Sequence, residues 1–206
     1  MAVSVGYLQG TLDSTANSTN TLGLFTTVPT NSDNSNGTEV TGGSYARIGT
    51  NAGFPSASTG SATNVRGFLE LPNDAPLAFP TASTNWGTVR GWGMFSSGGS
   101  CLMAYPFTET PVDGITYSQS GTTVTVNSPA HGLTTSDSVY ARFFNTGNAE
   151  KTYAVTSVTT NTFTFTVAGS ATITNAEIRY GKIKSYTVDA NSGLSFPAGQ
   201  LLFMVK

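Results

Sequence analysis

Charge is what this chain has least of. Only 10% of its 206 residues are Asp, Glu, Lys or Arg, and they leave a net charge of −2 and a pI near 5.2. A surface that neutralises phosphates needs clustered Lys and Arg, so no nucleic-acid partner is expected. A single cysteine, Cys101, excludes a disulfide within the chain. Its setting, Ser100-Cys101-Leu102-Met103, reads as a buried strand with the thiol acting as a small apolar group. A single histidine, His131, excludes a paired-histidine metal site. No apolar run is long enough to cross a bilayer, and the amino terminus lacks a charged region followed by an apolar core. The expectation is therefore a soluble protein made in the cytoplasm, with no membrane partner. Helical periodicity is missing throughout.

What is present points to strands. Hydrophobic residues make up 38% of the chain, and they fall in short alternating runs rich in Thr, Val, Tyr and Phe, the composition of half-buried strands. Thr21 to Thr26 is one such run. After a turn-rich link from Val28 to Asn36 comes G-T-E-V-T-G-G-S-Y-A-R-I, Gly37 to Ile48. Gly42-Gly43 marks a sharp reversal, because glycine enters positive φ without a steric cost. Val65 to Leu71 alternates imperfectly and stops at Pro72-Asn73-Asp74. Trp86 to Phe95 and Cys101 to Phe107 form a hairpin with the tip Ser96 to Ser100. Beyond Pro111 the texture changes. Ile115 to Val126 reads as a hairpin centred on Ser120-Gly121, Ser138 to Phe144 and Tyr153 to Val158 read as strands, and Thr162 to Val167 alternates with strict period two.

Three blocks carry a resemblance. L-F-T-T-V-P-T followed by G-T-E-V-T-G-G-S-Y-A-R-I, then Phe79 to Phe95, then Gly193 to Phe203, in that order, resemble a family of small tailed-bacteriophage virion proteins labelled tail-fibre or minor structural proteins. A second resemblance, over roughly a third of the chain, is to a small β-barrel module of phage tail proteins and of the first catalytic-cysteine half-domain of ubiquitin-activating enzymes. It rests on A-H-G-L at Ala130 to Leu133, Y-A-V-T-S-V at Tyr153 to Val158 and T-F-T-F at Thr162 to Phe165. Together they imply an all-β fold, a β-sandwich host domain with an inserted small β-barrel domain. The expected division is an amino-terminal arm at 1–21, host at 22–111, insertion at 112–183 and closing host strands at 184–206. Insertion at an exposed loop costs little loop entropy and leaves the host core intact.

Catalytic chemistry finds little support. His131 with Ser128 or Ser136 and Asp137 is a triad only on paper, and its Pro129-Ala130-His131-Gly132 setting is that of a turn. The carboxylates are scattered: Asp33 and Glu39 border the first motif, Glu70 and Asp74 flank a turn, and Glu109 and Asp113 flank the junction. Asp33, Asn34, Asn36 and Glu39 lack the ligand spacing of a calcium loop. Glu39 and Arg47 are placed to pair across the first hairpin. Arg179, Lys182 and Lys184 read as a solvated, aggregation-resisting strand edge. No catalytic residue, cofactor or metal site is assigned.

The expected function is structural. The chain reads as a virion surface protein of a tailed phage, capsid decoration or head fibre, with a tail-fibre or tail-adaptor role as the alternative. Its expected partners are other virion proteins of capsid or tail and further copies of itself, a trimer being one closed arrangement. Val3, Val5, Tyr7 and Leu8 are the candidate interface, on a neighbour or on the protein's own sheet. A host-glycan module is the second alternative, with Tyr117, Tyr140 and Phe144 as stacking residues.

Overall fold

A computed structural model describes residues 19–30, 36–50, 54, 63–65, 68–144 and 147–205, with only the backbone described at 63–65, 68–70 and 203–205. The candidate interface residues Val3, Val5, Tyr7 and Leu8, and Asp33 and Asn34 of the link, lie outside the described residues. The described chain is all-β, built from antiparallel ladders. It divides into two compact units: one holds residues 1–105 and 185–206, the other Pro106–Lys184.

The first unit begins with β1 (Thr21–Thr27), β2 (Thr38–Glu39), β3 (Ile48–Gly49), β4 (Thr63–Val65), β5 (Phe68–Pro72), β6 (Leu77–Ala78), β7 (Gly87–Val89), β8 (Gly91–Phe95) and β9 (Cys101–Pro106). The second unit comprises β10 (Val112–Asn127), β11 (Ser138–Phe143), β12 (Lys151–Ala154), β13 (Ser157–Val158) and β14 (Thr162–Lys182). The chain then returns to the first unit as β15 (Tyr186–Val188), β16 (Ser195–Phe196) and β17 (Leu202–Val205).

In the first unit the main sheet runs β2-β1-β8-β9, with β3 also on β1. Leu22, Leu24, Trp92 and Met94 are buried where β1 and β8 pair. The returning strands each close a ladder begun far earlier in the sequence: β15 on β7, β16 on β6 and β17 on β5. The hairpin expected at Ser96 to Ser100 is present, closed by Ser96 N–H to Ser100 O and Gly99 N–H to Ser96 O. Val65 to Leu71 is not a single strand. Val65 pairs with Phe68 across an antiparallel ladder, which accounts for the imperfect phase of its apolar residues.

The second unit is organised by one long ribbon. β10 and β14 pair from Val112↔Tyr180 to Asn127↔Thr162, while β11 and β13 take the other side of β14 at its two ends. The described ladder runs β10-β14-β11-β12, with no β10–β12 pair among the described residues. Its core is aromatic and β-branched: Tyr117, Val124, Val126, Phe143, Tyr153, Phe163, Phe165 and Tyr180 are all buried. The hairpin expected at Ser120-Gly121 is absent. β10 runs straight through, and Gly121 at φ 61° is absorbed at a register shift between Gly121 and Thr123. A glycine inside a strand marks a bulge as readily as a turn, and here the ribbon partner decides it. Gln119, buried beside the bulge, donates from Nε2 to Gly121 O (2.8 Å) and Gly169 O (2.7 Å) and accepts from Asn148 Nδ2 (2.8 Å).

Candidate functional site

The three sequence blocks of the first unit converge on one cluster. Gly42 and Gly43 sit at φ 74° and 57° and Ser44 follows at 66°, three successive left-handed residues that turn the chain sharply. Tyr45 N–H closes the turn on Gly42 O at 2.8 Å. Gly43 is required twice over. A Cβ there would come within 2.8 Å of Thr84 O and 2.9 Å of Trp86 Nε1. Its carbonyl accepts from Ser83 N–H (2.8 Å) and from the Trp86 indole (3.0 Å). The first block is thereby tied to the second.

Tyr45 is the hub. Its hydroxyl donates to Glu39 Oε1 (2.8 Å) and accepts from Leu24 N–H (2.8 Å). Its ring stacks on Phe79 at 6.2 Å and meets Trp86 edge-on at 5.4 Å. Burial, with the nearby Glu39 charge adding to it, pushes the phenol far above its ordinary value. Phe79 in turn meets Phe196 edge-on at 6.3 Å, and Phe79 N–H donates to Leu194 O, which brings in the third block.

Glu39 and Arg47 do pair, and more fully than a surface contact. Arg47 Nε donates to Oε1 (2.7 Å) and a terminal nitrogen donates to Oε2 (2.6 Å), a fork that satisfies both carboxylate oxygens. The guanidinium carbon lies 3.4 Å from the Phe95 ring centroid, a cation–π contact. Both carboxylate oxygens of Glu39 are thereby committed to structural contacts. Cys101 is half-buried, its thiol donates to Met103 O at 3.4 Å, and burial pushes its pKa up. That is the opposite of an activated nucleophile.

Sequence reasoning missed a second clamp. Asn73, read as part of a strand stop, is buried. Its side chain donates to Ala75 O and Pro197 O, each at 3.0 Å, and accepts from Leu201 N–H at 2.9 Å. The signal was an asparagine beside a proline, the residue type that bonds nearby backbone. Nothing local named its partner, more than 120 residues away.

In the second unit the paper triad is not assembled. His131 Nδ1 accepts from Leu133 N–H (3.0 Å), and Nε2 faces two carbonyls, Thr159 O (2.9 Å) and Thr162 O (3.1 Å). With Nδ1 accepting and Nε2 facing two carbonyls as the donor, the ring is a pin between two turns. Ser128 bonds Tyr180, Ser136 bonds Thr134, and Asp137 accepts from Thr134 and pairs with Lys182 at 2.9 Å. The basic run is likewise not a solvated edge. Arg179 and Lys182 lie on a strand flanked by both β10 and β11, and Arg179 forks onto Asp113 at 2.5 and 2.6 Å. Arg142 is buried and paired with Glu150, which also accepts from Tyr140.

The proposed stacking residues fare differently from one another. Tyr117 and Phe144 are buried, and Tyr117 meets Phe143 edge-on in the core, so neither presents a ring face to a ligand. Tyr140 is half-buried. Among the described residues no group of His, Cys, Asp and Glu is placed to hold a metal ion.

No curated protein matches the chain. Among solved structures, the phage phi92 endosialidase is similar at 18% identity and a TM-score of 0.29, over 62% of this chain and 19% of its own length. A likeness that slight carries no argument about fold or activity. The family model of the podophage GP4 fiber I protein gp80 matches residues 5–114, more than half of the chain. That span contains the Gly43, Tyr45, Glu39–Arg47 and Trp86 constellation. The chain belongs to this podophage fibre family and is a fibre-type protein of the phage virion.

Proposed function

We propose that the first unit is the assembly domain of a virion-surface fibre subunit, docking on other virion proteins, and that Pro106–Lys184 is a separately folding module carried in one of its loops. One observation carries this reading: the family match ends at residue 114, close to where the second compact unit begins. The convergence of the three blocks on Tyr45 supports a structural purpose for them. The Tyr45 hydroxyl, the Glu39 carboxylate, the Arg47 guanidinium and the Trp86 indole are each engaged in contacts that hold the blocks together, which serves rigidity.

We place the subunit on the head, as a decoration or head-fibre protein that self-associates with closed symmetry; attachment at the tail is the alternative. The glycan reading has no observation in its favour, because two of its three rings are core residues. Electron cryomicroscopy of intact particles tests the assignment. Density for the first unit against a neighbouring virion protein, with the second unit standing clear, is the expected result. A chain missing from mature particles would overturn it.

A further inference from the structure

Asn36-Gly37 is the sole Asn-Gly pair in the sequence. Asn36 is exposed and stands directly before β2. Its side chain is turned onto Thr30: Thr30 N–H donates to Oδ1 (2.9 Å), and Nδ2 donates to Thr30 Oγ1 (2.8 Å). Gly37 is fixed by packing. A Cβ there would run into Pro29 Cγ, lie 2.7 Å from Pro29 Cδ and reach 3.0 Å from the Phe25 ring. A larger residue at 37 would have to displace the proline ring, so the pair keeps its glycine for a structural reason.

We propose that Asn36 is a site of spontaneous deamidation, and that the conversion loosens the Tyr45 cluster. The backbone nitrogen of Gly37 attacks Asn36 Cγ, and the Cγ–Nδ2 bond breaks. The Gly37 amide proton leaves with the side-chain NH2 as ammonia, and a five-membered cyclic imide remains. Water then opens the imide at either carbonyl and gives aspartate or isoaspartate. Nothing is oxidised or reduced. Glycine carries no side chain to shield its nitrogen, which is what makes this pair reactive. The Thr30 N–H on Oδ1 faces the oxygen on which negative charge develops during the attack.

The products differ from Asn36 where it matters. Either one lacks Nδ2, so the donor to Thr30 Oγ1 is lost, and either one adds an anion beside β2 in a chain already at −2. Isoaspartate also lengthens the main chain by one carbon immediately before Gly37. On β2, Thr38 and Glu39 pair with Thr27 and Phe25 of β1, and Glu39 holds both Tyr45 and Arg47. A displaced β2 therefore reaches the cluster through Glu39.

Ageing the full chain in warm, mildly alkaline buffer tests this, with peptide mass spectrometry to locate each conversion. Trp86 and Trp92 both belong to the first unit, so the fluorescence-detected unfolding midpoint reports on its stability. Asn36 is expected to lose its amide nearly completely while the asparagines not followed by glycine stay largely intact. The midpoint of the aged wild type is expected to fall to that of fresh Asn36→Asp or below it, and aged Asn36→Gln is expected to keep the midpoint it had when fresh. Asn36 still intact after other asparagines have converted would overturn the site. Full conversion with an unmoved midpoint would overturn its link to the Tyr45 cluster.

Discussion

The two units solve the problem of an all-β core in opposite ways. The first uses short strands, none longer than seven residues among those described, and joins distant stretches through side chains that bond backbone: Tyr45 to Leu24, Trp86 to Gly43, Asn73 to Leu201. The second uses a ribbon of 16 and 21 residues and packs one aromatic core against it, with charges paired around it. Both units bury apolar side chains, but the first adds polar clamps between distant stretches where the second adds ladder length. The first architecture is sensitive to single atoms at a few hubs. The second is sensitive to volume in its core.

That contrast is breakable. Both tryptophans, Trp86 and Trp92, belong to the first unit, so indole fluorescence reports on that unit alone. Phe165→Ala removes a fully buried ring stacked on Tyr153 at 4.6 Å. It is expected to destabilise the second unit by about 3–5 kcal/mol. Far-ultraviolet circular dichroism should then show an early transition while the fluorescence midpoint stays in place. Coincident movement of both signals would mean that the units unfold as one.

The reciprocal change is Glu39→Gln. It leaves the Arg47 cation against Phe95 without its counter-charge and weakens the bond from Tyr45. A loss of about 1.5–3 kcal/mol, read by fluorescence, is expected. Ellipticity of the second unit should not change. A null effect would reduce the clamp to an ornament of the surface.

Alkaline pH sharpens the same point more gently. Burial holds the Tyr45 phenol well above its ordinary value. A group raised in the folded state contributes stability that is complete below its unfolded pKa and lost as pH rises towards the folded one. For tyrosine the loss begins near pH ~10. Denaturant midpoints followed by fluorescence should therefore decline above that pH in the wild type and decline less in Tyr45→Phe. Equal slopes would show that the Tyr45 hydroxyl is not the hub described.

The fold was legible where local pattern settles the matter. The Thr162–Val167 alternation, the Ser96–Ser100 tip and the Gly42-Gly43 reversal each depend on neighbours in sequence, and each is found. Reading failed where a distant partner decides. Gly121 looks like a turn until β14 is laid beside β10, and Arg179 and Lys182 look like edge charges until β11 covers their other side. Tyr117 and Phe144 carry no mark that separates a core ring from a binding ring. At the Tyr45 cluster the Glu39–Arg47 pair could be named from two opposite charges eight residues apart around the Gly42-Gly43 reversal, although β2 and β3 pair with β1 and not with each other as a hairpin. Asn73 and Trp86 could not, since their partners lie 128 and 43 residues away.

The most direct measurement replaces residues 106–184 with a short Gly-Ser linker and follows the shortened chain by tryptophan fluorescence and by incorporation into particles. A fibre-family domain with a separately folding insertion predicts a soluble chain, a cooperative fluorescence transition close to that of the full-length protein, and retention in the virion. Aggregation of the shortened chain, or loss of its fluorescence transition while full-length point variants stay soluble, would contradict the account.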